Sequence, residues 1–253
     1  MSEDSQGPVV VVTGAARGLG RDYAAMFAAD GARVVLADIQ ADAVAAAAED
    51  TASATGAEVI GLEVDVASAD SVATMIAKVE ERLGGVDVLI NNAGIWGDLE
   101  SAPLSATDPN YFDLVMAVNV RGPLLCAQAV LDHMRAEGWG RIINISSMGA
   151  YMPSGVYGVS KLALNSMTFA LATELGPSGI TVNAVAPGPI DNEATRAQLP
   201  KEAMIDKMIA GTAMKRMGTS RDLYGMIRYL VSRDADWVTG QTFLVNGGYN
   251  SRL

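Results

Sequence analysis

The stretch 141–165, RIINISSMGAYMPSGVYGVSKLALN, gathers three side chains that can handle a proton: Ser147, Tyr157 and Lys161. Ile142, Ile143 and Ile145 form a short apolar β-branched run, which predicts a buried strand ended by Ser146 and Ser147. A turn containing glycine and proline follows, and a helical pattern begins after Gly155. Tyr157 and Lys161 stand four residues apart in that pattern, which places them one turn apart on one helix face. A phenol beside an ammonium makes a proton-transfer group, because the positive charge favours phenolate and lowers the tyrosine from its ordinary value of about 10. A hydroxyl at the end of the preceding strand, Ser147, can hold a carbonyl or alcohol oxygen against that phenol.

The elements that must position these groups follow a regular rhythm. Val9–Thr13 reads as a strand buried on both sides, followed by the turn G-A-A-R-G-L-G over 14–20 and a helix over 19–29. A strand over 33–37 ends at Asp38, and an alanine-rich helix covers 41–55. A strand over 58–64, a helix over 68–83 with Ser68 as N-cap, and a strand over 86–90 come next. After Asn91-Asn92-Ala93-Gly94 a long helix covers 111–137, and the strand 142–147 and helix 156–175 follow. Strands over 181–186 and 243–245 complete the series. Strand–helix alternation with short connections predicts an α/β fold: one Rossmann-type domain over 1–253 with a doubly wound parallel sheet of about seven strands and helices on both faces. Residues 1–7 read as a disordered tail. The segment 187–218 breaks the rhythm and holds Met204, Met208, Met214 and Met217 at roughly helical spacing; it reads as a substrate-binding lid beyond the carboxyl end of a strand.

The first turn is a second chemical site. Gly14, Gly18 and Gly20 lie between a strand and a helix, where glycine permits close backbone approach and the helix N-terminus offers free N–H groups to a pyrophosphate. Asp38 ends the second strand, where a carboxylate accepts bonds from ribose hydroxyls and repels a 2′-phosphate. Arg17 in the glycine turn has the opposite preference. Asp38 decides the choice for NAD over NADP.

Composition narrows the rest. The 253 residues carry a net charge of −11, which disfavours nucleic acid and anionic membrane surfaces. The one cysteine, Cys126, lies in an apolar helical pattern and reads as core, and with one histidine, His133, no metal site is expected. No basic segment precedes an apolar run at the N-terminus, and no stretch approaches about 18 uninterrupted apolar residues, so a cytoplasmic protein without a membrane span is expected.

With both sites in hand, the chain resembles the short-chain dehydrogenase/reductase family across residues 8–248. The resemblance rests on Thr13-Gly14-x-x-x-Gly18-x-Gly20, Asn91-Asn92-Ala93-Gly94, Asn119, Ser147, the pair Tyr157-x-x-x-Lys161 and Pro187-Gly188. It implies that Tyr157 is the general acid/base, that Lys161 lowers its pKa and binds the nicotinamide ribose, that Ser147 polarises the carbonyl, and that Asn119 holds a water linking Lys161 to solvent. It further implies cofactor contacts from Thr13, Gly14, Arg17, Gly18 and Leu19 around the pyrophosphate and ribose, and from Asp38 and Ile39. Asp65 and Val66 would meet adenine, Asn92, Ala93 and Gly94 the adenosine side, and Pro187, Gly188, Ile190 and Asn192 the nicotinamide. Three departures stand out. Ten positions separate Ser147 from Tyr157, so the connection is about three residues shorter than in many members. Asn192 stands where many have threonine, and Asn246-Gly-Gly replaces the commoner Asp-Gly-Gly.

The expectation is an oxidoreductase moving hydride between NAD(H) and a small secondary alcohol or ketone. An apolar pocket of Ile95, Trp96, Met148, Tyr151, Met152 and Met208 beside Ser147 points to an apolar or cyclic substrate. The alternatives are an NADPH-dependent 3-oxoacyl reductase, which Arg17 allows, and a non-catalytic NAD-binding regulator, whose mark would be a lost Tyr157 or Lys161. The helices over 111–137 and 156–175 are apolar on more than one face, suggesting burial against a copy, and the resemblance implies a homotetramer.

Overall fold

Strands without a polar stripe must be covered on both faces, and the valine- and isoleucine-rich runs of this chain are. In the computed structural model, which describes residues 7–96, 103–192, 195–196 and 202–250 (the backbone alone for 202–204), seven strands form one parallel sheet. They are β1 (Val9–Thr13), β2 (Arg33–Asp38), β3 (Val59–Glu63), β4 (Val88–Asn91), β5 (Gly140–Ile145), β6 (Ile180–Pro187) and β7 (Thr242–Val245). The order is β3-β2-β1-β4-β5-β6-β7. The chain thus winds outward in one direction through β3, then returns to the centre and winds the other way. The reversal opens a crevice between the carboxyl ends of β1 and β4, where ligands bind in open sheets of this kind.

Alternate residues of each strand feed two separate cores. Val9 and Val11 face α3 (Ala69–Leu83) and α5 (Gly122–Glu137), joined there by α6 (Gly155–Leu175). Val10 and Val12 face α1 (Gly18–Ala29), α2 (Ala41–Thr55) and α8 (Ser220–Val231). This is a single Rossmann-like domain, and the expected strands and helices appear within one to three residues at their ends. Ser68 caps α3 as expected, accepting from the Ser71 N–H. Cys126 is buried among these apolar residues, and burial pushes its thiol up to about 12.

The long helix expected over 111–137 is more articulated. It begins as α4 (Pro109–Met116), widens into a π-helical turn over Ala117–Arg121, and resumes as α5. Pro123 has no N–H to give the Asn119 carbonyl four residues back, and the turn opens there, with the Gly122 N–H reaching Ala117 O. By length and composition alone the helix 109–137 would suffice to cross a membrane. Here Cys126, Val130 and Met134 pack it against the sheet.

Of the expected lid over 187–218, residues 187–192, 195–196 and 202–218 are described, including α7 (Glu202–Gly211). The expected tail over 1–6 and the side chain of Met204 lie outside the described residues.

Ile143 is fully buried on the interior strand β5 and touches the core on the α1 side. Ile143→Ala should lower the unfolding free energy by about 3 kcal/mol, from lost transfer energy and the cavity left behind. Urea unfolding followed by circular dichroism measures it.

Candidate active site

One cleft of about 1290 Å³ runs over the carboxyl ends of the strands and connects both chemical sites. At the sheet's reversal point, Thr13 and Asn92 join the ends of β1 and β4. The Asn92 and Ala93 N–H groups donate to Thr13 Oγ1, each at 3.1 Å, and Asn92 Nδ2 donates to Thr13 O at 2.9 Å and Gly14 O at 3.0 Å. This contact leaves no room for side chains. A Cβ on Gly14 would lie 2.7 Å from Ala93 Cα, and one on Gly20 would lie 2.3 Å from Gly14 O.

Gly18, at φ +59°, faces open space at the first turn of α1. The exposed backbone there, together with the free N–H groups of the helix start, fits a pyrophosphate. Asp38 is buried, and its carboxylate is pinned: Oδ2 accepts from the Ala16 N–H and Oδ1 from the Gln40 N–H, both at 3.1 Å. Arg17 is exposed on the rim and makes no hydrogen bond or ion pair with the described residues. Ile39, Asp65 and Val66 also line this end, where Asp65 Oδ1 holds the Ala67 N–H at 2.9 Å. The site therefore suits an adenine dinucleotide.

At the other end, the proton-handling groups converge. Ser147 Oγ accepts from the Gly149 N–H at 3.0 Å and sits near enough to the Tyr157 hydroxyl to favour its phenolate. Lys161 donates from Nζ to Ile145 O at 2.8 Å, with Nζ 5.7 Å from the centre of the Tyr157 ring. Their electrostatics differ from the sequence expectation. Burial pushes Tyr157 up to about 12, with the nearby Ser147 hydroxyl opposing, and pushes Lys161 down to about 8. In the free protein, desolvation of both groups outweighs the attraction of ammonium for phenolate.

Asn119 lies beneath the cleft rather than in its wall, fully buried in the π-turn. Its Oδ1 accepts from the Ile95 N–H at 2.7 Å, and its Nδ2 donates to Ile95 O and Ser160 Oγ, each at 3.0 Å. Both Nδ2 hydrogens and one Oδ1 acceptor site are thereby engaged with protein.

Gly94, Pro187, Gly188, Ile190 and Asn192 line the middle of the cleft. Asn192 Oδ1 already accepts from the Thr195 N–H at 2.8 Å, so its amide donors are what remain for a ligand. Leu19, Ile95, Trp96, Met148, Met152 and Met208 are on the walls. Tyr151 is not: its hydroxyl turns to α6 and accepts from Asn165 Nδ2 at 3.0 Å.

The cleft also contains residues that no motif marks. Leu104 comes from a 3₁₀ turn ahead of the long helix, Leu114 from α4, Thr195 from the segment after β6, and Tyr249 from the C-terminal segment. Tyr249 has a local signal in retrospect. Asn246, in place of aspartate, donates from Nδ2 to Asn250 O at 2.8 Å and to its Oδ1 at 2.7 Å, which folds the segment back. An aspartate has no such donor.

A doubly wound sheet with a dinucleotide-shaped cleft at its reversal point defines a nucleotide-dependent enzyme class. The sequence matches the family described as Enoyl-(Acyl carrier protein) reductase over residues 14–250. It is 44% identical over 240 residues to an uncharacterized oxidoreductase of Mycobacterium tuberculosis, covering 95% of this chain and 96% of that one. It is 37% identical over 246 residues to 2-(R)-hydroxypropyl-CoM dehydrogenase of Xanthobacter autotrophicus, covering 96% and 98%. Its fold superposes with TM-score 0.91 on a gluconate 5-dehydrogenase of Burkholderia cenocepacia in complex with NADP and tartrate, at 34% identity and covering 98% and 97%. The chain belongs to the short-chain dehydrogenase/reductase family. That family comprises nicotinamide-dependent oxidoreductases of alcohols and ketones.

The buried Lys161 makes a stability prediction. Its folded value, about 8, lies below the ordinary 10.5. Below pH 8 the lysine is charged in both states and the fold bears the full desolvation cost. Between these values the unfolded chain holds the proton that the folded chain has lost, so stability rises with pH through that window. Lys161→Met should therefore be the more stable protein at pH 7, and its advantage should shrink by up to about 3 kcal/mol by pH 10.5. Paired urea unfolding curves at pH 7 and 10 read the difference.

Proposed function

We propose that this protein is an NAD-dependent dehydrogenase of an apolar or cyclic secondary alcohol, or the reductase of the corresponding ketone, acting in the cytoplasm as a homotetramer. The observation that carries the reading is the convergence of Ser147, Tyr157 and buried Lys161 in the same cleft as Gly14, Gly18 and Asp38. When bound, the nicotinamide supplies the hydride chemistry. Ser147 and Tyr157 hold the substrate oxygen between two hydroxyls. In reduction the neutral phenol of Tyr157 is already the acid required, and it gives its proton to that oxygen. In oxidation the Tyr157 phenolate takes the proton from the alcohol and becomes the phenol, and the Lys161 ammonium is the fixed positive charge that favours the phenolate beforehand. Asn119 would hold a water that links Lys161 to solvent and lets the proton leave.

At the cofactor end, the Gly18 and Leu19 backbone receives the pyrophosphate and Asp38 the adenosine ribose. Asp65 and Val66 flank adenine, and Pro187, Gly188, Ile190 and the Asn192 amide face the nicotinamide. A phosphate about 4 Å from the Asp38 carboxylate is repelled by about 4 kcal/mol per unit charge near a protein surface, and the pinned carboxylate cannot swing away. Arg17 supports a second reading, an NADPH-dependent 3-oxoacyl reductase, because its guanidinium has no partner among the described residues. The turn 187–192 and α7, carrying Met208, serve as the substrate lid. On α6, Val159 and Leu162 at the edge of the cleft and Phe169 beyond it are exposed, which supports burial against a copy of the chain.

Two measurements test the reading. Tyr157→Phe should lower kcat by at least about 10³-fold while the NADH dissociation constant, followed by fluorescence titration, stays within about twofold. A Phe variant that keeps its turnover overturns the mechanism. Asp38→Ala should raise the ratio of NADPH to NADH turnover by about 10- to 100-fold in kcat/KM. A wild-type enzyme that already prefers NADPH favours the 3-oxoacyl reductase instead.

A further inference from the structure

Ser154 occupies the N-cap of α6, at φ −110° and ψ 31°. A serine there ordinarily turns its oxygen onto an amide of the first helical turn. This one does not. Its backbone is committed, with its N–H donating to Met152 O at 2.8 Å and its carbonyl accepting from the Gly158 N–H at 3.1 Å. Its hydroxyl makes no hydrogen bond within the described residues, although it is half-buried in the wall of the cleft. A polar group partly withdrawn from water and left without a protein partner is available to a ligand.

Its place is next to the reacting centre. A Cβ on Gly149 would lie 3.2 Å from Ser147 Oγ, 3.3 Å from Tyr157 Cε1 and 3.4 Å from Ser154 Oγ, so all three reach one point. The short Ser147–Tyr157 connection sets Ser154 three residues before the tyrosine. Gly158, whose Cβ would lie 2.7 Å from Gly149 O and 3.0 Å from Ser154 Cβ, keeps the helix start pressed against that turn. The neighbouring wall, Met148, Met152 and Pro153, is apolar. The cations among the described lining residues are Arg17 and Lys161, both placed by the dehydrogenase reading at the dinucleotide or the phenol.

We propose that Ser154 is a specificity residue whose hydroxyl binds a second, uncharged oxygen on the carbon next to the reacting one. The preferred substrates are then vicinal diols and α-hydroxyketones on an apolar body, rather than plain secondary alcohols. The inference rests on the dehydrogenase reading above and narrows its substrate class.

The test compares racemic 1,2-cyclohexanediol with cyclohexanol, both oxidised with NAD⁺ by wild type, Ser154→Ala and Ser154→Thr. Wild type should favour the diol in kcat/KM. Ser154→Ala should lose about 10-fold on the diol and less than about twofold on cyclohexanol, with NADH affinity unchanged. Ser154→Thr, which keeps a hydroxyl, should recover part of the diol rate. A Ser154→Ala variant that slows both substrates alike, or neither, overturns the assignment while leaving the dehydrogenase reading intact, as does a wild-type enzyme indifferent to the second hydroxyl. Wild-type protein that turns over neither alcohol overturns both.

Discussion

Everything the cleft does depends on holding two strand ends together where the sheet reverses direction. Parallel strands diverge beyond their last ladder bonds, and β1 and β4 lead to helices on opposite faces. Thr13 and Asn92 bridge that point with four side chain–backbone hydrogen bonds. The bonds are buried or half-buried, where an unmade polar contact is costly, so the junction closes in one geometry. Gly14 and Gly20 are glycine because the same junction leaves no volume for a Cβ.

The proton-handling end is braced by a second polar system. Asn119 joins the π-turn to the loop after β4 through Ile95, and to α6 through Ser160, whose hydroxyl in turn donates to Tyr157 O at 2.8 Å. Deeper in the sheet, Asn91 donates to Asn144 Oδ1 at 2.9 Å, and Asn144 donates to Thr168 Oγ1 at 2.9 Å, so β4, β5 and α6 are tied side to side. Tyr157 and Lys161 thus sit on a helix anchored from two directions. A proton-transfer pair gains from this, because its hydrogen-bond geometry is set before a ligand arrives.

Burial gives the pair its electrical character. Both groups are held in their neutral-leaning directions, the phenol upward and the ammonium downward, by the same lack of water. A site that is dry and polar is also one in which each charge is felt strongly. That accounts for the division of the cleft into an end with a pinned carboxylate and an end with paired hydroxyls.

The strand–helix order, the glycine turn, Asp38 and the Tyr157–Lys161 spacing were legible in the amino-acid sequence, because each is a local pattern: periodicity, or a fixed offset along one helix or turn. Ser147 was legible for the same reason, as a strand end. What required the tertiary structure were properties that belong to neighbours far apart in the chain. The π-turn has a local cause in Pro123, but the commitment of the Asn119 side chain to Ile95 does not. Tyr151 turns away because Asn165 stands behind it. Leu104, Thr195 and Tyr249 enter the cleft from three separate segments. The direction of the Tyr157 and Lys161 shifts follows from how much of the fold covers them, which spacing cannot express. Residue types and their intervals determined which chemistry was possible; burial and long-range hydrogen bonds decided which atoms remain free to perform it, because desolvation depends on everything packed around a group and not on its place in the sequence.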